Sequence, residues 1–206
     1  MRGRLITLEG GEGAGKSTAV RRVADWLERH GRSVVLTREP GGTRAAEQIR
    51  SLLLNPDTGE LAAMTELLLM FAARAENLAR IIRPALDAGQ DVICDRFTDA
   101  SRAYQGGGRG LGTAVVDALA ALVHPDLEPD LTLLLDVPVA IGMARVDRRG
   151  QAPDRFEQTR AGFLDRVRSA YLDIAEREPQ RMVVIDASAP LAEVHAAIVT
   201  ALEERL

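Results

Sequence analysis

The chain has 206 residues, 46% hydrophobic and 27% charged, with a formal net charge of −4; it can bury one good core, and its acidic balance argues against a general nucleic-acid binder. No run of about twenty apolar residues is present to span a bilayer, and the first residues lead straight into an apolar run without a signal-peptide layout. The single cysteine, Cys94, lies in the apolar run Val92-Ile93-Cys94 and has no disulfide partner, so a single cytoplasmic domain over residues 1–206 is expected, with no membrane and no nucleic-acid partner.

In chain order, short apolar runs at 5–8, 33–37, 91–95, 131–136 and 181–186 alternate with segments of helical period at 16–30, 45–54, 61–87, 113–123, 139–146, 158–177 and 191–204. The runs are apolar at consecutive positions, which is the pattern of parallel strands covered on both faces by helices, and all five are expected to be central or nearly so. Gly31 and Gly89 follow predicted helices where a left-handed residue ends them, and Pro138 and Pro190 stand at helix starts. Two glycine-rich or charged stretches, 105–112 and 148–153, read as loops near the sheet. His30, His124 and His195 are far apart, show no zinc-ligand spacing and receive no role.

Between the first strand and the first helix stands Gly10-Gly11-Glu12-Gly13-Ala14-Gly15-Lys16-Ser17-Thr18, a G-x-x-x-x-G-K-[ST] match in its proper strand-to-helix setting. Such glycines let backbone N–H groups point at phosphate oxygens, and the helix that follows adds its positive end. Lys16 is then placed to reach the β and γ phosphates of ATP, and Ser17 to ligate Mg²⁺. The loop alone does not separate kinases from GTPases or ATP-driven switches.

At the end of the third run, Asp95 and Arg96 occupy the crevice position of an open α/β sheet. An aspartate there suits Mg²⁺ through water, and an arginine suits an acceptor phosphate; an ion pair closing a strand is the plainer alternative. Three further segments bear on the choice: Thr37-Arg38-Glu39-Pro40-Gly41-Gly42-Thr43, Phe71-Ala72-Ala73-Arg74 and Ser101-Arg102-Ala103-Tyr104-Gln105-Gly106. With Asp95-Arg96-Phe97 they make the chain resemble the bacterial thymidylate kinases over essentially its whole length.

That resemblance implies a P-loop NTPase-like three-layer α/β sandwich with a five-stranded parallel sheet, usually found as a homodimer. It implies transfer of the γ-phosphoryl of ATP to dTMP, giving ADP and dTDP, with Mg²⁺. Residue by residue, it assigns Arg38 and Arg96 to the dTMP phosphate, Glu39 and Pro40 to the wall beside sugar and base, and Arg74, Ser101 and Gln105 to the thymine edge. Tyr104 is assigned to the sugar, where it excludes a 2′-hydroxyl, and Glu9 to a position near metal or acceptor. The base-covering side chain is either Met70 or Phe71, on one helix face with Arg74, and Phe71 is favoured here.

A lid is expected over about residues 145–157, where Arg145, Arg148, Arg149 and Arg155 bracket Gly150-Gln151-Ala152-Pro153. Since the phosphate loop carries Glu12 and no arginine, the chain resembles the basic-lid type, with Arg148, Arg149 and Arg155 as the clamp on the transferring group. The segment 186–188 is expected to complete an adenine pocket. Two alternatives stand beside this reading: another P-loop nucleotide or deoxynucleoside kinase, and a nucleotide-dependent switch ATPase. A GTPase would show N-K-x-D, and a partition-type ATPase a second loop lysine; neither is in this sequence, where Lys16 is the only lysine.

Overall fold

The apolar runs become β1 (Leu5–Glu9), β2 (Val34–Arg38), β3 (Asp91–Asp95), β4 (Leu131–Asp136) and β5 (Met182–Asp186) in a computed structural model that describes residues 2–148, 155–156 and 162–206. All neighbours pair in parallel, in the order β2-β3-β1-β4-β5. The chain therefore starts mid-sheet and builds outward to both sides. The carboxyl ends of β1 and β3 flank the resulting switch point, where an open α/β sheet forms its ligand crevice.

Of the five strands expected to be central or nearly so, β1, β3 and β4 are central. β2 and β5 are edges, and Leu36 and Val184 are 52% and 47% exposed. Consecutive apolar residues thus do not distinguish a central strand from an edge strand that is open on part of one face.

The helices are α1 (Lys16–Arg29), α2 (Arg44–Leu54), α3 (Ala63–Asn77), α4 (Arg83–Asp87), α5 (Thr98–Ser101), α6 (Thr113–Val123), α7 (Val139–Asp147), α8 (Phe163–Arg177) and α9 (Leu191–Arg205). On α1 the buried residues Ala19, Val23, Ala24 and Leu27 repeat at helical spacing and pack with Ile198, Ala201 and Leu202 of α9 in one apolar cluster. A second cluster joins β4, α8 and the segment after α5 through Ala103, Tyr104, Leu134, Phe163 and Tyr171. Among the described residues no helix is long and apolar enough to cross a membrane.

Two helical segments depart from regular geometry. The helix expected over 61–87 is continuous but carries a π-helical turn, Leu78–Ile82, between α3 and α4. Pro84 sits in the first turn of α4, where it has no N–H for the carbonyl one turn back, so the ladder widens there. The stretch 105–112, expected to be a loop, is helical as far as Gly108, because α5 runs into a π-helical segment, Arg102–Gly108. Its glycines serve close packing: a Cβ on Gly108 would lie 2.6 Å from the ring of Phe163 on α8.

Candidate active site

The phosphate loop turns from β1 into α1 and rests against α7. Gly13 has φ +68°, and a Cβ there would lie 2.0 Å from the carbonyl oxygen of Gly142 on α7. Both sides of this contact need glycine, so Gly142 belongs to the loop's design although no motif marks it. Lys16 donates from Nζ to the carbonyls of Gly10 (3.1 Å) and Gly11 (2.9 Å). Burial, reinforced by the positive charge of Arg96, pulls the Lys16 ammonium below its ordinary pKa.

Arg96 is the centre of the crevice. It is the sole non-glycine residue with a left-handed backbone among those described, at φ +71°, a conformation that costs about 1–3 kcal/mol and persists only where neighbours enforce it. They do so here. The Arg96 N–H donates to Leu8 O (3.0 Å), the Cys94 thiol to Arg96 O (2.9 Å), and the Phe97 N–H to the Glu9 carboxylate (2.7 Å).

The side chain of Arg96 crosses to the phosphate loop. It donates to Gly10 O (3.0 Å), the Glu12 carboxylate (2.7 Å), and the hydroxyls of Tyr104 (2.9 Å) and Tyr171 (3.2 Å), while Tyr104 in turn donates to Glu12 at 2.7 Å. Burial opposes the Arg96 charge, yet the surrounding Tyr104, Glu12 and Tyr171 leave its pKa well above the ordinary value.

Beside this knot opens a cavity of about 600 Å³, including its mouth, whose walls carry Glu39, Pro40, Met70, Arg74, Ser101 and Tyr104. Arg50 and Phe156 also line it. Arg74 is 2% exposed and is fixed by Glu39 (2.6 Å), Phe97 O (3.0 Å) and Ser101 Oγ (3.0 Å), while its Nη1 has no partner among the described residues. A buried guanidinium with one nitrogen unsatisfied is a hydrogen-bond site for something that enters the cavity. The residue that sequence reasoning missed is Arg50, which donates to Pro40 O at 2.9 Å. Burial, then the charges of Arg38 and Arg96, lower the Arg50 pKa.

Ser17, Arg38 and Asp95 share an open groove. Asp95 Oδ1 is buried without a hydrogen-bond partner among the described residues, leaving carboxylate lone pairs unsatisfied where a hard cation or its water would bind. Arg38 pairs with Glu47 of α2 at 2.9 Å and is half exposed. A third recess joins Gly15 and Thr18 to Arg145, Ala187, Ala189 and Leu191, with Arg145 donating to Ala187 O at 2.9 Å. The segment after β5 thus borders the loop.

Several expected residues stand elsewhere. Phe71, favoured as the base cover, is core: it packs with Leu67, Val116 and Ala120, and the Arg74 guanidinium lies 4.5 Å from its ring. Met70, one position earlier, points into the cavity instead, because a helix turns about 100° per residue. Gln105 is buried and donates to Glu66 of α3 at 2.9 Å, away from the cavity lining. Glu9 is buried beneath the crevice, taking hydrogen bonds from the Phe97 N–H and the Tyr171 hydroxyl (2.7 Å each). Burial, then Asp99, push its pKa up to about 7 against the pull of Arg96. It braces Arg96 from below and does not face the groove of Ser17 and Asp95.

Of the expected clamp, Arg155 donates to Leu53 O of α2 (2.7 Å) and to Glu66 of α3 (2.5 Å). Arg148 is exposed at the end of α7, and Arg149 with most of the expected lid lies outside the described residues.

A family model described as thymidylate kinase matches residues 8–198. A thymidylate kinase of Alkalilimnicola ehrlichii is 58% identical over 205 residues, covering 100% of this chain and 93% of the relative. One from Chromohalobacter salexigens is also 58% identical, covering 99% and 97%. The crystal structure of thymidylate kinase from Ehrlichia chaffeensis superposes with a TM-score of 0.79 at 35% identity, covering 98% of this chain and 99% of that one.

Proposed function

The chain belongs to the thymidylate kinase family, and from that premise we propose how its residues carry the γ-phosphoryl of ATP to dTMP, giving ADP and dTDP. The observation that carries the reading is electrostatic. Besides burial, the Arg96 charge lowers the Lys16 pKa, and the Arg38 and Arg96 charges lower that of Arg50, so cations crowd together around the phosphate loop and the mouth of the acceptor cavity. Two anions meeting end to end relieve that repulsion, which is what transfer between a triphosphate and a monophosphate requires.

On the donor side, backbone N–H groups of residues 10–18 and Lys16 hold the ATP phosphates, and Arg145 with the segment at 187–189 receives the adenine. Guanidinium planes stack well on nucleobases, and Arg145 is held still by Ala187 O. On the acceptor side, Arg96 and Arg50 grip the dTMP phosphate, with Arg38 adding positive field from beside Glu47. Arg74 Nη1 meets the thymine edge, Ser101 keeps that guanidinium in place, and Met70 and Pro40 cover the base. Tyr104, pinned by Glu12 and Arg96, stands where the sugar passes.

The groove of Ser17 and Asp95 fits Mg²⁺, which when bound neutralises the charge developing between the β and γ oxygens. No cluster of three or more His, Cys, Asp or Glu side chains suited to a metal exists among the described residues; the substrate phosphates are therefore expected to supply the remaining ligands. No general base is needed, since the attacking oxygen already carries charge.

The test is ADP release across a panel of acceptors with ATP and Mg²⁺. dTMP is expected to be phosphorylated at least about tenfold faster than dCMP, whose edge leaves the buried Arg74 donor unpaired at a cost of about 1–3 kcal/mol, than UMP, whose 2′-hydroxyl meets Tyr104, and than thymidine, which has no phosphate for the arginines; chelation of Mg²⁺ is expected to stop the reaction. Thymidine matching dTMP would overturn the phosphate-gripping role of the arginines.

We also propose that the enzyme is a homodimer. α2 and α6 both pack against α3, and the three carry the exposed apolar side chains Leu52, Met64, Leu68 and Leu122, a face that a two-fold partner would cover. Sedimentation is expected to give twice the 22.3 kDa chain mass; Leu68→Glu lowering it to the monomer value supports this face, and a wild-type monomer refutes it.

A further inference from the structure

Glu66 of α3 is a carboxylate at 0% exposure, and the chemistry assigned above leaves it unused. Its Oε1 accepts from Gln105 (2.9 Å) and Arg109 Nε (3.2 Å), and its Oε2 from Arg109 Nη2 (3.1 Å) and Arg155 Nη2 (2.5 Å). Four donors from two separate chain segments converge on it. A buried charge so fully satisfied holds its partners in a fixed arrangement, because moving any one of them strips the carboxylate of a hydrogen bond that no water replaces.

What it holds is informative. Arg155 is tied to α2 at two further points, its Nε to Leu53 O (2.7 Å) and its backbone N–H to Leu54 O (3.1 Å). These are last-turn carbonyls of α2 that lack partners within the helix. With Arg155 anchored three ways, the next residue has little freedom. Phe156 is buried, lies edge-on to Tyr104 with ring centroids 5.8 Å apart, and forms part of the acceptor cavity wall with Leu54 and Met70. Arg109, on the same carboxylate, places its guanidinium 4.7 Å from the Phe163 ring and 5.7 Å from that of Phe156.

We infer that Glu66 is a positioning residue for acceptor binding: through Arg155 it sets Phe156 as the wall that presses Tyr104 onto the acceptor nucleoside. Arg155 accordingly acts on acceptor retention and not on the transferring phosphoryl. This rests on the assignment of that cavity to dTMP. Glu66 touches no substrate, so its effect should fall on the KM for the acceptor and leave the ATP site alone.

The experiment measures kcat and both KM values for Glu66→Gln, Phe156→Ala and the double variant, with Tm as a check on folding. Phe156→Ala is expected to raise the dTMP KM about tenfold, the size of effect of removing one buried aromatic contact, with kcat within about threefold and ATP KM within about twofold. Glu66→Gln should raise the dTMP KM in the same direction, and the double variant should go no further than the larger single effect. Effects that multiply, or a dTMP KM unchanged in either single variant, would overturn the inference. Should Glu66→Gln fail to fold, Phe156→Ala and Arg155→Met carry the test, both expected to raise the dTMP KM alone. A wild-type enzyme that does not phosphorylate dTMP would instead sink the acceptor assignment itself.

Discussion

Lys16→Ala is expected to lower kcat by about 10²- to 10³-fold at saturating ATP and dTMP, the usual loss when one preorganised charge aimed at a transition state is removed. The ammonium is held by Gly10 O and Gly11 O, so it sits inside the curve of the loop where the donor phosphates pass. Its depressed pKa, from burial and the Arg96 charge, means that it is under-neutralised by the protein and gains most when phosphate charge is beside it. Phosphoryl transfer concentrates charge on the bridging and equatorial oxygens, so the gain is larger in the transition state than in the ground state and appears in kcat. Loss of the two carbonyl contacts also loosens the loop, so a smaller rise in ATP KM should accompany it. Steady-state rates with ATP varied at fixed dTMP separate the two; a near-normal kcat would remove Lys16 from the mechanism.

The phosphate loop was legible because its chemistry is local: nine consecutive residues between a strand and a helix make the whole anion cradle. The five strands were legible for a related reason, since hydrophobic runs mark them wherever they fall in the sheet. Residues whose role depends on distant partners were harder to place. Phe71 and Met70 are neighbours in sequence and face different environments in space, and only the packing of α3 against α6 decides that Phe71 is core. Arg50 lies in an ordinary helical segment and joins the cavity because α2 folds back over Pro40; its one advance signal was a basic residue following Arg38 by a helix length. Arg155 and Gln105 both answer to Glu66, a glutamate in an apolar helix that no motif singles out, so this pairing is not legible in the sequence. The glycines at 107 and 108 looked like turn residues, and they are helix-contact residues, since a sequence cannot distinguish a glycine needed for its dihedral angles from one needed for its size.

Arg96→Ala is the second large effect, and it separates backbone from side chain. The guanidinium joins the carboxyl end of β3 to the phosphate loop through Gly10 O and Glu12, and to the acceptor wall through Tyr104. Removing it takes away the Arg96–Glu12 ion pair at 2.7 Å and deprives the acceptor phosphate of its principal counter-charge; truncating one partner of a largely desolvated charge pair costs about 2–5 kcal/mol. At about 4 kcal/mol, kcat/KM for dTMP falls roughly 10³-fold. ATP KM should change by less than about tenfold, because Lys16 and the loop N–H groups remain. Arg96→Lys should recover little, since one ammonium cannot reach the four acceptors that the planar fork spans. Alanine and glycine then differ at the backbone: at φ +71° glycine relieves a strain that alanine keeps, a gain that outweighs the greater unfolded-state freedom of glycine. Arg96→Gly should therefore melt at a higher temperature than Arg96→Ala yet show the same loss of kcat/KM, if the guanidinium is what transfer needs. Activity that returned with glycine would place the role of this residue in the turn of the chain, and the acceptor phosphate would have to be held by Arg38 and Arg50 alone.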